Sequence, residues 1–218
     1  DFNSVCFVIT EKKQEFLLAV VERGGIVGSN KASDTDANIY LDPVTHKDKE
    51  AFKIGLDLGL TNFSLSFTNS SKDVELVRNI IGMEVNLISK IESIKGVLNL
   101  KGILPVVDQI LIDRGDLSRE VDIEKIPFLQ RLIISESKLQ NTPVFVATNL
   151  LESMIKFSSP TRAEANDVAS TLIMGASGLV LAAETAIGKY PVESVIMIQS
   201  IIKQHNNWTS NSSIEDYI

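Results

Sequence analysis

From residue 41 onward the chain alternates short apolar strand patterns with amphipathic helix patterns, and that alternation limits the fold more than any other feature. NFSLSF begins at Asn62, VNLISKI at Val85, QILIDRG at Gln109, PVFVAT at Pro143 and GLVLAAET at Gly178. Segments with helical spacing lie between them, among them KDVELVRNIIG and EKIPFLQRLIISESKLQN. Strands separated by crossover helices pair in parallel, because each helix returns the chain to the same end of the sheet. Five strand–helix units are legible, with one further helix ahead of the first. That helix is predicted to start on Thr45 as its N-cap and to turn Ala51, Ile54 and Leu58 to one face. Gly82 is predicted to end the helix that follows NFSLSF.

Residues 5–40 read differently. VCFVI and EFLLAVVE have β character, a Gly24-Gly25 turn follows, and GSNKASDTDAN reads as a polar loop. The expected organisation is a small β region over residues 1–40 and an α/β region over 41–218. With 218 residues, 44% hydrophobic and 22% charged, the chain can bury a substantial core. A net charge of -7 argues against a general nucleic-acid binder, since phosphate binding needs a positive surface. The single cysteine, Cys6, excludes an internal disulfide framework and fits a reducing compartment. No apolar run reaches transmembrane length and no signal peptide is legible. The chain opens on Asp1 rather than Met, which reads as a processed, trimmed or partial piece of something longer.

In parallel α/β folds the C-terminal ends of the strands share one mouth, where ligands bind. Lys90 and Glu92 stand at one strand end, Gly115 and Asp116 at the next, Thr148 at the third and Glu184 near the last. Two carboxylates from adjacent strands, Glu92 and Asp116, can hold Mg²⁺, a hard cation that takes oxygen ligands and keeps waters for a substrate. A lysine beside such a metal can neutralise negative charge that develops on a bound group. The N–H groups of Gly115 and Asp116 can grip a carboxylate.

Each residue also has a plainer reading. Charges are common at strand ends, and Asp116 can simply cap the helix after it. The Arg-Gly-Asp string at 114–116 follows an apolar strand, so it is not presented as a free adhesion loop. The Asn-x-Ser/Thr sequons at Asn62, Asn69, Asn207 and Asn211 read as chance matches in an Asn/Ser-rich chain. His46 and His205 read as solvated residues at helix ends, and Arg162 and Glu164 as braces of a loop.

Three strings carry a resemblance: LISKIES at 87–93, DRGDLSREV at 113–121, and PVFVATNLLESMIKFSSPTRAEANDVASTLIMGASGLVLAAETAIGKYPVES at 143–194. In this order they resemble the pyruvate kinase family, with its Lys-Ile-Glu, Arg-Gly-Asp-Leu, Ala-Thr-Gln-Met-Leu-Glu-Ser-Met, Pro-Thr-Arg-Ala-Glu and Ser-Gly-Glu-Thr strings. The resemblance implies a TIM-type (β/α)8 barrel, here incomplete, preceded by the remnant of a small inserted β domain. A whole barrel of eight units takes about 250 residues. ERGGIVGSNK at 22–31 resembles the end of that inserted domain. The function implied is phosphoryl transfer from phosphoenolpyruvate to ADP, giving pyruvate and ATP in glycolysis. By the same resemblance Lys90 and Thr148 are catalytic, Gly115, Asp116 and Thr148 bind substrate, and Glu92 and Asp116 hold Mg²⁺ or Mn²⁺. The family also uses K⁺, whose ligands lie in a segment that this chain does not match. The Pro-Thr-Arg-Ala-Glu loop lies near a subunit contact in the family.

Departures from the family pattern oppose that activity. Ala182 and Ala183 stand where the family has Ser-Gly, Asn149 and Leu150 where it has Gln-Met, and Ser118 where it has Gly. Asn69 and Ser70 stand where it has Arg-Lys. Ala182 removes a hydroxyl from the proton-delivery region. The alternative is therefore a catalytically degenerate relative acting as a structural or regulatory subunit. A weaker third reading is an aldolase-like barrel that chelates pyruvate enolate through Mg²⁺. An incomplete barrel exposes sheet edges, so an oligomer or a larger assembly is expected beside the strand at 63–67. The expected compartment is the cytoplasm, with a plastid or other organelle as the alternative if a transit peptide is removed.

Overall fold

A computed structural model describes residues 5–29, 33, 35, 36, 39 and 41–218. The chain divides into two compact units, Asp1–Asp42 and Pro43–Ile218. In the first, β1 (Cys6–Lys12) and β2 (Leu17–Arg23) form an antiparallel pair with Val8 opposite Val20 and Ile9 opposite Ala19. Both strands are exposed along their whole length, so Phe7, Val8, Val20 and Val21 face solvent. A two-stranded hairpin of this kind has little stability of its own. The string 22–31 runs into residues 30 and 31, which lie outside the described residues.

The second unit holds one five-stranded parallel sheet. Its strands are β3 (Asn62–Leu65), β4 (Asn86–Ile91), β5 (Gln109–Asp113), β6 (Val144–Ala147) and β7 (Gly178–Val180), and they neighbour one another in sequence order. Helix α1 (His46–Asp57) precedes β3, and α2 (Ser71–Ile81) crosses from β3 to β4. The short α3 (Ile94–Leu98) and α4 (Leu100–Ile103) join β4 to β5. One-turn α5 (Arg114–Leu117) and long α6 (Ile126–Leu139) join β5 to β6, and α7 (Arg162–Met174) joins β6 to β7. One-turn α8 (Ala183–Ala186) and α9 (Pro191–Asn207) follow. No described helix is long and apolar enough to cross a membrane.

The pleat decides which side chains are buried beneath helices. Along β4, Leu87, Ser89 and Ile91 are buried while Asn86, Ile88 and Lys90 are half-buried on the opposite face. β5 continues the pattern, with Ile110 and Ile112 fully buried. These residues pack with Val144 and Val146 of β6, Val74, Val77 and Ile81 of α2, and Ile133 and Ile134 of α6. A second cluster, Leu150, Leu151, Met154, Val168, Leu172 and Ile198, packs the loop after β6 against α7 and α9. Arg78 of α2 donates to Val85 O at 2.7 Å and pairs with Asp108, whose carboxylate accepts the Leu87 N–H at 2.6 Å. That network ties the entries of β4 and β5 together.

Thr45 caps α1 as the sequence predicts, in a reciprocal box with Asp48, and Gly82 at φ 81° ends α2. The face predicted for α1 needs correction. Ala51, Ile54 and Leu58 are exposed, whereas Phe52, Gly55 and Leu56 turn inward. The reason is the close approach of Phe63: a Cβ on Gly55 would lie 2.8 Å from its ring, and Phe52 meets the same ring edge-on with centroids 5.8 Å apart. Aromatic packing across a glycine outweighs the aliphatic spacing.

Thr161 and Glu164 form the capping box of α7, and Glu164 also accepts from Ser153 N at 2.7 Å and Ser153 Oγ at 2.5 Å. Burial raises the pKa of Glu164, but the hydrogen bonds from Ser153 and Thr161 outweigh it and leave the carboxyl below its ordinary value. A depressed folded pKa means stability that is present above the ordinary glutamate range and lost as pH falls through the depressed value. Glu164→Gln should therefore cost about 1 kcal/mol at pH 7, because the bonds from Ser153 and Thr161 lose the charge that strengthens them. Urea unfolding at neutral and acidic pH checks this: the wild-type and variant midpoints should converge in acid.

Candidate active site

Lys90 and Glu92 leave β4 at its C-terminal end. Glu92 is 1% exposed. Its Oε2 accepts the Phe67 N–H at 2.6 Å, from a loop residue held in the left-handed region at φ 49°. Its Oε1, also buried, is met by the Lys90 ammonium at 2.5 Å. The same ammonium lies 3.4 Å from Asp113 Oδ2. Burial works against the ammonium, yet the Glu92 and Asp113 carboxylates beside it raise the Lys90 pKa, so the lysine stays charged. Burial pushes the Glu92 carboxyl above its ordinary value, and Lys90 and the Phe67 N–H offset only part of that push.

The end of β5 supplies the second part of the site. Asp113 caps α5 and accepts from Asp116 N at 3.4 Å. Gly115 N donates to Thr148 Oγ1 at 2.8 Å. The single Thr148 hydroxyl proton faces Ala147 O at 2.6 Å and Asp113 Oδ1 at 3.2 Å. Asp116 Oδ1 accepts from Arg119 Nη1 at 2.8 Å. Glu92, Asp113 and Asp116 can each offer a carboxylate oxygen within 4.8 Å of the others. Thus Lys90, Glu92, Gly115, Asp116 and Thr148 lie together at the C-terminal ends of β4, β5 and β6.

Thr148 lies in the left-handed region at φ 69°, and Asn149 follows it at φ 53°. For a β-branched residue such a φ is an outlier costing on the order of 1–3 kcal/mol, and it persists only where its surroundings over-determine it. Here the Arg114 guanidinium donates Nε and Nη2 to Thr148 O at 3.1 and 2.6 Å, while Nη1 donates to Asp167 Oδ2 of α7 at 2.6 Å.

Three residues of this network were not anticipated: Asp113, Arg114 and Asp167. Asp113 had no signal in the sequence, since only the register of Leu111 against Lys90 shows that it shares the lysine's face of the sheet. Asp167 had none, because its partner is 53 residues away in the chain. Glu184 corrects an expectation. It is 1% exposed and accepts from Leu151 N and Ala182 N, each at 2.9 Å, so it braces two loops and adds no carboxylate to the mouth. Asn69 and Ser70 also hold a loop together: both N–H groups donate to Asp73 Oδ2, and Asn69 Oδ1 accepts from Ser93 Oγ at 2.5 Å.

The donor set suits a hard divalent cation. Among the described residues it is all carboxylate oxygen, and Glu92 presents to it a buried oxygen met by the Lys90 ammonium. Three carboxylates face Lys90 and Arg119, which leaves room in the charge balance for added positive charge.

The family model for pyruvate kinase, barrel domain, matches residues 1–195. A pyruvate kinase of Mycobacterium intracellulare is 38% identical over 206 residues, covering 93% of this chain and 44% of that protein. A pyruvate kinase of Thermotoga maritima is 39% identical over the same coverage. The human protein named pyruvate kinase PKLR is 36% identical over 208 residues, 94% of this chain and 36% of its own length. The chain thus spans less than half the length of these relatives. On the family match and these identities, the chain belongs to the pyruvate kinase family.

Proposed function

We propose that this chain is part of a phosphotransferase that moves a phosphoryl group from phosphoenolpyruvate to ADP, releasing pyruvate and ATP. The carrying observation is the convergence of Lys90, Glu92, Asp116 and Thr148 at neighbouring strand ends. In the reaction the bond from phosphorus to the enol oxygen breaks and a bond to the terminal ADP oxygen forms. The enolate left behind takes a proton on its methylene carbon to become pyruvate. Lys90, kept protonated by its carboxylate partners, neutralises charge on the transferring group and the enolate oxygen. The N–H groups of Gly115 and Asp116 hold the substrate carboxylate. Thr148 stands beside the carbon to be protonated. Glu92 and Asp116 would hold Mg²⁺ or Mn²⁺, which supplies Lewis-acid polarisation of phosphoryl and enolate oxygens.

The architecture fits this reading. The sheet order never reverses, as in a closing (β/α) barrel and unlike a doubly wound sheet with its switch point. We read residues 41–218 as the later part of a (β/α)8 barrel and residues 1–40, with the β1–β2 hairpin, as the end of a small β domain. Edge strands β3 and β7 would then be covered by further chain or by a partner. The cytoplasm is the proposed compartment, and a plastid the alternative.

A second reading, a degenerate relative with a structural or regulatory role, also has an observation in its favour. Both cradle N–H groups already have acceptors within the chain: Thr148 Oγ1 takes Gly115 N and Asp113 Oδ1 takes Asp116 N. A substrate carboxylate has to displace them.

Lys90→Met in the intact natural protein should lower kcat about a thousandfold, the upper range for one electrostatic donor. A coupled pyruvate-formation assay reads it, and undiminished turnover would refute the site. Glu92→Gln and Asp116→Asn should each weaken Mn²⁺ binding in the presence of oxalate about tenfold or more, since changes beyond the ligands alone cost that much. Calorimetry decides, and unchanged affinity in both means the cation binds elsewhere. Ala182→Ser should raise the rate of pyruvate methyl proton exchange more than it changes pyruvate affinity. Equal effects on both would separate Ala182 from proton delivery.

A further inference from the structure

The geometry points to Arg114 and Asp167 as positioning residues that hold Thr148 in its left-handed conformation and so aim its hydroxyl at the reacting carbon. This rests on the reading of Thr148 given above. Three charged side chains reach the loop after β6 from elsewhere in the chain. Glu164 takes Ser153 N and Oγ, Glu184 takes Leu151 N, and Arg114 takes the carbonyl of Thr148 itself. Of these only Arg114 grips the residue with the unfavourable φ. Two guanidinium N–H groups converge on one carbonyl oxygen, which fixes the orientation of the Thr148 peptide as a single donor cannot.

Asp167 makes the arrangement rigid from behind. Its Oδ2 lies 2.6 Å from Arg114 Nη1, and the Arg114 side chain is 12% exposed, so its fork has little freedom to swing. Asp167 stands in α7, whose start is capped by Thr161 and Glu164. The clamp therefore runs from a capped helix, through a largely enclosed guanidinium, to the backbone of the candidate proton-delivery residue. Neither Arg114 nor Asp167 need touch substrate. Their effect passes through Thr148, whose Oγ1 is already within reach of Gly115 N and Asp113 Oδ1. A small rotation of the Thr148 peptide would move that oxygen among these partners and away from the carbon.

Arg114→Lys keeps the charge and removes the fork. Asp167→Asn keeps the shape and removes the anion, at a half-exposed side chain where misfolding is not expected. In the intact natural protein, both are compared with the wild type and with Lys90→Met for pyruvate methyl proton exchange, followed by NMR in deuterated buffer. Oxalate affinity is measured by calorimetry on the same samples. The exchange rate should fall about tenfold in Asp167→Asn and up to about a hundredfold in Arg114→Lys, the scale of an ångström-sized misplacement. Oxalate affinity should stay within about twofold, the scatter of uncoupled sites. Wild-type exchange in both variants overturns the inference, and so does a loss of oxalate affinity in step with the rate, which a merely structural ion pair would give. Wild-type exchange in Lys90→Met overturns the reading of the whole site, whatever the clamp variants do. A slow Lys90→Met beside unaffected clamp variants leaves that reading standing and removes only the clamp.

Discussion

The parallel register of β4, β5 and β6 is the constraint on which the rest of the site depends. Lys90 pairs with Leu111, Ile112 with Val146 and Asp113 with Ala147, so three strands end at nearly one level. Strand pleating then does the sorting. Residues of one parity pack under the helices, and those of the other carry Lys90 and Asp113 to the opposite face. A slip of one residue in β5 would exchange the places of Ile112 and Asp113, burying a carboxylate under α6 and leaving Lys90 a partner short. The fully buried Leu87, Ile91, Ile110 and Ile112 make that slip costly, and the Arg78–Asp108 network ties the strand entries against it.

The site is held together by charges that each compensate another. Glu92 is nearly inaccessible, and a carboxylate so placed is tolerable only with hydrogen bonds and an opposite charge close by. The Phe67 N–H and the Lys90 ammonium supply both. The Glu92 and Asp113 carboxylates in turn keep the lysine protonated. Asp113 adds a carboxylate between Lys90 and Thr148, and it changes what the mouth can accept. It increases the attraction for a cation and opposes an entering carboxylate, so ligand and metal binding should be strongly interdependent.

Around this charged centre two further carboxylates brace the loops. Glu184 spans Leu151 and Ala182, and Glu164 spans Thr161 and Ser153. Together they stiffen the connection after β6, where two consecutive residues adopt positive φ. Stiffness there adds to the grip of Arg114 on the Thr148 carbonyl, and together they let an unfavourable backbone persist.

Much was legible from sequence because it depends on local rules. The strand–helix alternation, the Thr45 cap and the Gly82 stop follow from residue type and spacing, while the choice of Lys90, Glu92, Gly115, Asp116 and Thr148 came from the resemblance of their strings to the family's. The inward face of α1 was misread, because the packing of Phe52 and Phe63 across Gly55 joins parts of the chain that spacing cannot relate. Glu184 looked like a member of the mouth and became a brace, since the direction of a side chain beyond a strand end is set by the loop that meets it. Asp113 needed the register of β4 against β5, and the Arg114–Asp167 pair needed α7 brought beside α5. The sequence by itself determined which strands exist and in what order they alternate with helices. Only the tertiary structure decided which carboxylates face Lys90 and what holds Thr148, because electrostatic and hydrogen-bond partners are chosen by distance in space, and a spacing of 53 residues carries no information about that distance.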